Sequence, residues 1–583
     1  MRGRLATAAS LAALACAACT ATSTPVADTG GGPAPAADAR CAAIAGKMNA
    51  RLGADTRITA AEYRPAGPMA APPGPPGFAM PPVDLPDHCE IGGTINPRTG
   101  IDGQSYAITF RLRLPENWNG RFLMEGGGGT NGIVGEAIGR MAGGPVPALA
   151  QGYAVLAQDS GHSNATNSVA EKGGATAFGF DPQARADYGG ASLAPVTLAA
   201  RDIATEFYGK PPEFSYFVGC SKGGQEGMML AQRYPDLYDG IIAGAPGFAL
   251  PRAAIAEVWD TQAFASVVRA KGEEVTLASL AASFGNTDLA VARDAVLKAC
   301  DAGDGREDGL IGAFEQCTSA KVLPELERRI CTGAKQDGCL SRPQVDALIR
   351  VHDGPRNSKG EALYAGFPWD AGWADMGWRV WKIGSPDGRM PAINVAMGTP
   401  ALAAIFTTPP TAPGATPVQA LAYAMGFDFD RDAPGIYATG GAFTRSAWQD
   451  IGARSPDLAA FARRGGRMIV PHGVSDPVFS INDTIAWWND VNGRSHGKAA
   501  SFARVFPVPG MAHCMGGPAT DQFNDFAALV DWVEKGKAPD RIDAKAGPMS
   551  PWPGRSRPLC PYPKIARPKP GATGDTAEDF VCS

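Results

Sequence analysis

Long apolar runs, an excess of basic charge and clustered metal-ligand residues are all scarce in this 583-residue chain. Beyond the first 19 residues no stretch is long and apolar enough to span a bilayer, which argues against a membrane-spanning protein. Lys and Arg total 53 against 58 Asp and Glu, a formal net charge of −5. That balance carries no basic stripe and disfavours a nucleic-acid binder. Once Cys16 and Cys19 are set aside, no CxxC pair and no His/Cys cluster has zinc-ligand spacing. No internal repeat is visible, and the 73 Gly and 50 Pro follow no collagen-like period. What remains is 45% hydrophobic and 19% charged, ample for a large core and too apolar for disorder. So much Gly and Pro suits a loop-rich enzyme better than a helical bundle.

Residues 1–19 read as a signal peptide: Arg2 and Arg4 precede an apolar run, Leu5–Ala18, too short for a membrane span. Residues 20–40, rich in Ala, Pro, Gly and Thr, read as a flexible tether. Small residues around Cys16 and Cys19 leave two routes open. Simple cleavage would give a secreted or periplasmic protein; lipidation of a Cys would give an outer-membrane-anchored lipoprotein. The other cysteines, Cys41, Cys89, Cys220, Cys300, Cys317, Cys331, Cys339, Cys514, Cys560 and Cys582, number ten. An even count in an exported chain argues for disulfides.

Strand-length apolar segments occur at Tyr106–Leu114, Arg121–Glu125, Ala154–Gln158, Phe214–Val218, Gly240–Ala243, Arg467–Pro471 and Ala503–Val508. Helical patterns lie between them at Ala191–Tyr208, Gly224–Tyr234, Asn482–Val491 and Gln522–Lys535. Strands alternating with helices predict an α/β fold, a mainly parallel sheet covered on both faces. The rhythm breaks between residues 247 and 465, which hold six of the eleven Trp and few buried-strand candidates. The chain therefore divides into a core (41–246), an inserted lid (247–465) and a second core part (466–583).

Gly219-Cys220-Ser221-Lys222-Gly223 matches G-x-S-x-G. The pentapeptide alone is weak in so Gly-rich a chain, but here it joins a buried strand to a helix. Such a strand-to-helix turn needs small residues and aims the Ser hydroxyl out over the sheet edge. The helix N-terminus adds backbone N–H groups for a developing oxyanion. A serine needs a base, and the base an orienting acid, in the chain order Ser, Asp, His. His513 follows a strand and a Pro509-Gly510 turn, whereas His496 sits in a polar loop. Asp476 follows the strand Arg467–Pro471, whereas Asp483 and Asp490 fall within the next helix. Ser221, Asp476 and His513 are thus the expected triad. Gly128 or Gly129, in the run Gly126–Gly129 after a strand, is the expected second oxyanion donor beside Lys222.

The stretch Val218–Gly224 (VGCSKGG), with Gly240–Pro246 (GIIAGAP), HGVSDP around Asp476 and PGMAHC around His513, resembles the tannase/feruloyl esterase family. The resemblance extends over nearly all of Cys41–Cys582. It is strongest toward the branch acting on terephthalate monoesters, through RTGIDG, AFGFDPQARADYG, GMMLAQRYP, FDFD and RPLCPYP. It implies an α/β-hydrolase fold with a large lid inserted between core strands, and an esterase for galloyl, feruloyl or terephthaloyl esters. It implies the pairs Cys220–Cys514, Cys41–Cys89, Cys300–Cys317, Cys331–Cys339 and Cys560–Cys582. It also implies a structural calcium ion in the lid, held by the side chains of Asp301, Asp304 and Asp308 and the carbonyls of Arg306 and Leu310. From spacing alone a solvated acidic turn fits that loop equally well, since the closing Glu of an EF-hand is missing.

Trp381 is an expected substrate contact as an aromatic wall. The resemblance implies a lid guanidinium for a substrate carboxylate, which Arg389 would supply unless it is a solvent-facing lid residue, the equal alternative. Lys222 is a second cation that could attract such a carboxylate. No organic cofactor is expected, and the expected state is a monomer acting on a small aromatic ester. A lipase on the same core would want an extended apolar lid face, which the Gly/Pro-rich insertion lacks. A non-catalytic binding protein should have lost a member of the triad, and all three are present.

Overall fold

The computed structural model describes residues 36–69, 82–141, 144 and 146–583. The expected signal peptide and most of the expected tether lie outside the described residues. Residues 37–583 form one compact unit, in which the insertion does not separate from the core. Its first helix, α1 (Ala37–Asn49), already starts inside the stretch assigned to the tether.

Nine strands build the central sheet: β1 (Thr56–Arg64), β2 (His88–Thr99), β3 (Ser105–Pro115), β4 (Arg121–Glu125), β5 (Ala154–Gln158), β6 (Phe214–Cys220), β7 (Gly240–Gly244), β8 (Arg467–Gly473) and β9 (Ala503–Val508). Their spatial order is β1-β2-β3-β5-β4-β6-β7-β8-β9. The first three pair antiparallel with one another, and β3 pairs antiparallel with β5. From β5 onward every pairing is parallel. Burial follows this division. β5 and β7 are buried at every position, as strands covered on both faces must be, whereas β2 alternates between buried and half-buried residues.

Successive side chains of a strand point to opposite faces. Phe122 and Met124 of β4 join the larger apolar cluster, with α2 (Leu193–Tyr208) and α4 (Leu250–Ala270). Leu123, between them, joins the other cluster, under Phe526, Leu529 and Trp532 of α6 (Asp525–Lys535). Between those helices in sequence lie α3 (Lys222–Arg233) and α5 (Ile481–Arg494). The fold is the α/β type foreseen from the alternation. Strands β1 and β2 were not foreseen: Gly92-Gly93 and Asn96-Pro97 interrupt the apolar pattern of β2, which long antiparallel pairing with β3 sustains.

The chain leaves β7 and returns in β8, its immediate neighbour, where Ile241 pairs with Met468. Everything between is helices and loops with no strand in the central sheet. Three of the six Trp of this insertion pack on one another: Trp369 meets Trp373 at a tilt and Trp373 stacks on Trp378, with ring centroids 5.0 and 5.4 Å apart. All five implied disulfides are formed. Among the described residues no helix is long and apolar enough to cross a membrane.

Candidate active site

Ser221 lies between β6 and α3 with φ 65° and ψ −121°, a backbone conformation that side-chain-bearing residues rarely adopt. The glycines around it are required by close approach. A Cβ on Gly219 would stand 2.6 Å from the Gly223 carbonyl carbon, and one on Gly224 2.3 Å from the Gly244 carbonyl oxygen. The Ser221 N–H donates to that same Gly244 oxygen at 3.0 Å, fastening the turn to β7.

Asp476 follows β8 and His513 follows β9, and these strands run parallel up to the pair Gly473 and Val508. Their loops therefore leave the same end of the sheet. His513 Nδ1 donates to Asp476 Oδ2 at 2.8 Å. The N–H groups of Val478 and Phe479 donate to Asp476 Oδ1 at 2.7 and 3.1 Å. Burial works to raise the Asp476 carboxyl, but His513 and His472 outweigh it and hold the group well below the usual carboxylate range. His472 was not foreseen; its Nε2 lies 3.4 Å from Asp476 Oδ2 and donates to the Phe479 carbonyl at 3.0 Å.

His513 Nε2 is buried and has no hydrogen-bond partner among the described residues. Trp381 and Phe479 meet the imidazole edge-on, at centroid distances of 5.6 and 5.2 Å. Both also line a narrow cavity with Ser221. The Cys220–Cys514 bridge joins the chain neighbours of Ser221 and His513, with Cα atoms 6.1 Å apart. The chain neighbours of Ser221 and His513 are thus tied together, and two rings that meet His513 line the cavity of Ser221.

A family model described as tannase and feruloyl esterase matches residues 89–583. The chain belongs to the tannase and feruloyl esterase family. It is 45% identical over 522 residues to the mono(2-hydroxyethyl) terephthalate hydrolase of Piscinibacter sakaiensis, covering 86% of this chain and 85% of that one. It is 26% identical to a probable feruloyl esterase of Arthroderma benhamiae, over 88% of each chain. Among solved structures it resembles feruloyl esterase B from Aspergillus oryzae, with a TM-score of 0.71 at 22% identity, over 94% of this chain and 100% of that one. This family member is a carboxylic ester hydrolase.

In this esterase the Gly-rich loop after β4 divides between two cavities. Gly129, with φ 55°, and Thr130 line the cavity of Ser221, whereas Gly128 lines the adjacent one with Glu125 and Asn131. The loop is anchored by a residue that sequence reasoning missed, Glu226 of α3. Its Oε2 accepts from the Gly127 N–H at 2.9 Å, and its Oε1 from Asn131 Nδ2 at 3.1 Å and the Ser160 hydroxyl at 3.2 Å. Lys222 Nζ donates to Oε1 as well, at 2.9 Å, one helical turn away.

That pair corrects one expectation. The Lys222 ammonium does not wait for a substrate carboxylate. Both side chains are 1% exposed, and the charge is matched by Glu226 and lies over the Tyr188 ring. Arg389 is not brought to the cavity either. It stands on a surface turn next to Gly388, its side chain 89% exposed and 3.5 Å from Asp387. A lid guanidinium at that position points to water because nothing packs over the turn. Trp381 alone of the two expected contacts reaches the cavity.

The acidic loop of the insertion is ordered by its own backbone. Asp301 accepts from the N–H groups of Asp308 and Gly309, and Asp304 from those of Arg306 and Gly312. Burial pushes the Asp304 carboxyl up to about 6. Asp308 accepts from the Leu310 N–H and is paired with Arg557. The donors are hard oxygens of the kind calcium takes. Among the described residues no three acidic, His or Cys side chains converge on one metal position, and Asp308 is taken up by Arg557.

Proposed function

We propose that this esterase hydrolyses esters of aromatic acids through Ser221, His513 and Asp476. Ser221 Oγ attacks the ester carbonyl while His513 Nε2 takes its proton; Asp476 keeps the imidazole in the right tautomer and stabilises its charged form. The oxyanion accepts hydrogen bonds from the backbone N–H of Lys222 and of Gly129, or of its neighbour Gly128. His513 then returns the proton to the leaving alcohol, and water releases the acyl group by the same steps in reverse. The observation that carries this reading is the buried, unpartnered Nε2 of an Asp-held histidine beside the cavity of Ser221. An aromatic acyl group is supported by the cavity walls, Trp381, Phe406 and Phe479, and by the substrates for which the relatives are named.

Export is proposed from the N-terminal pattern and from five disulfides, which persist in oxidising compartments. Calcium on the loop 301–310 is proposed from its chemistry, with the condition that Asp308 exchanges Arg557 for the ion. The enzymatic test is a panel of methyl ferulate, methyl gallate and the terephthalate monoester. Ser221→Ala and His513→Ala should each lower kcat by about 10³-fold or more on whichever ester is turned over. Full activity in folded Ser221→Ala would refute the mechanism.

A further inference from the structure

Among the described residues, one buried side-chain oxygen of the Ser221 cavity has no partner. Glu257, on α4, is 6% exposed and lines the cavity with Ser221, Tyr188, Trp381 and Phe479. Its Oε2 is buried and makes no hydrogen bond among the described residues. Gly398, on the same cavity wall, makes the room for it: a Cβ there would fall 1.5 Å from Oε2. Buried polar groups in native proteins are nearly always paired, so an orphan oxygen on a residue that lines a cavity points to a ligand atom that pairs with it.

The charge of that partner follows from the surroundings. Among the described residues the one Lys or Arg lining the cavity, Lys222, is held by Glu226. The cation that acts electrostatically on Glu257, Lys382, is in a buried pair with Asp260. Burial, reinforced by Asp260 and opposed by Lys382, pushes Glu257 up to about 8, so the carboxyl is largely protonated at neutral pH. A protonated carboxyl has one O–H to donate and a carbonyl oxygen to accept with. A hydroxyl can satisfy both. A substrate carboxylate could only accept, would oppose any ionisation of Glu257, and would find no uncommitted cation.

We infer that Glu257 is a specificity-determining residue of this esterase, hydrogen-bonding an uncharged hydroxyl of the substrate and disfavouring a free carboxylate there. The inference rests on the proposed function, and it sets this chain apart from the preference implied by its terephthalate-hydrolase relative. The hydroxyl could belong to the acid ring, as a phenol, or to the alcohol, and two substrate pairs separate these sources.

The experiment measures kcat and KM of wild type, Glu257→Gln and Glu257→Leu. The phenol pair is methyl 4-hydroxycinnamate and methyl cinnamate, and the alcohol pair is 2-hydroxyethyl benzoate and ethyl benzoate. Monomethyl terephthalate and methyl benzoate test the carboxylate. Glu257→Leu should lose about tenfold in kcat/KM on the hydroxylated member of one pair, mostly through KM, and little on its partner. Glu257→Gln, a neutral donor and acceptor, should keep most of the preference. The affected pair identifies which hydroxyl is bound. Should Glu257→Leu not fold, Gly398→Ala, which displaces the carboxyl without removing it, must show the same selective loss. Equal losses on both members of both pairs, or a wild-type preference for monomethyl terephthalate over methyl benzoate, would overturn the inference. No turnover of any of these esters by wild type would overturn the proposed function, and the inference with it.

Discussion

Replacing Glu226 by Leu should damage this esterase in two measurable ways. Glu226 is the common acceptor for Lys222 Nζ, Asn131 Nδ2, the Ser160 hydroxyl and the Gly127 N–H, at 2.9–3.2 Å. Its pair with Lys222 is 1% exposed on both sides, so solvent screens it little. Removing one partner of a buried pair costs about 3–5 kcal/mol, because the other charge stays behind uncompensated. Burial already holds the Lys222 ammonium below its ordinary value, so the lone lysine can shed its proton and cap the loss. The double variant Lys222→Met/Glu226→Leu removes both charges and should be more stable than Glu226→Leu alone. It should remain less stable than wild type, since the Gly127, Asn131 and Ser160 donors still lose their acceptor. Denaturant unfolding of wild type, Lys222→Met, Glu226→Leu and the double variant gives the coupling energy, expected at about 2–3 kcal/mol. In parallel kcat should fall by up to about 10²-fold in Glu226→Leu, the scale of one lost oxyanion donor, because the Gly-rich loop loses its anchor. Additive single effects, or an unchanged kcat in folded Glu226→Leu, would refute the reasoning.

Cys220→Ser/Cys514→Ser should lose up to about 5–6 kcal/mol of stability, the chain-entropy figure for a bridge of sequence separation 294, and should lower kcat by loosening His513 relative to Ser221. Unfolding and kinetics of the double variant read both. Asp525 is buried and its carboxyl is pushed up to about 7, against about 3.9 in an unfolded chain. Between those values the unfolded state has released a proton that the folded state keeps, so stability falls as pH rises through about 4 to 7. Asp525→Asn should flatten that decline of the melting temperature. The flattening is partial, because Asp159, Asp187 and Asp370, raised to about 6, act in the same direction. Calcium should raise the melting temperature and chelation lower it, an effect abolished by Asp304→Ala; no shift with either treatment means that Arg557 alone closes the loop. Arg389→Ala should leave the ratio of kcat/KM for monomethyl terephthalate to that for methyl benzoate unchanged, and a selective loss on the charged ester would restore Arg389 as its clamp.

Most of the sheet was legible because its inner strands are buried on both faces and therefore read as short apolar runs, as in Ala154–Gln158 and Gly240–Gly244. The turn at Ser221 was legible for a local reason too. Its glycines sit where a Cβ would strike neighbouring backbone, so the constraint is written into adjacent positions. β2 was not, since Gly92-Gly93 and Asn96-Pro97 carry no strand signal of their own and the pairing with β3 overrides them. The same holds for α1, whose burial depends on Cys41, Ile44 and Met48 meeting the sheet.

From its sequence alone this chain determined the order of Ser221, Asp476 and His513, the elements that carry them, and the residues that mark its family. Those features depend on neighbours in the chain or on strand ends, where local conformation decides. The charges of the cavity were decided only by tertiary structure. Lys222 follows Ser221 directly, yet its ammonium is matched by Glu226; Arg389, the expected clamp, faces water; Glu257, on a helix of the insertion, lines the cavity with one carboxyl oxygen unpaired among the described residues. The physical reason is that the worth of a charge depends on what surrounds it. Burial and partners come from segments far apart in the chain, as where Gly398 makes room for Glu257 and Asp260 holds Lys382.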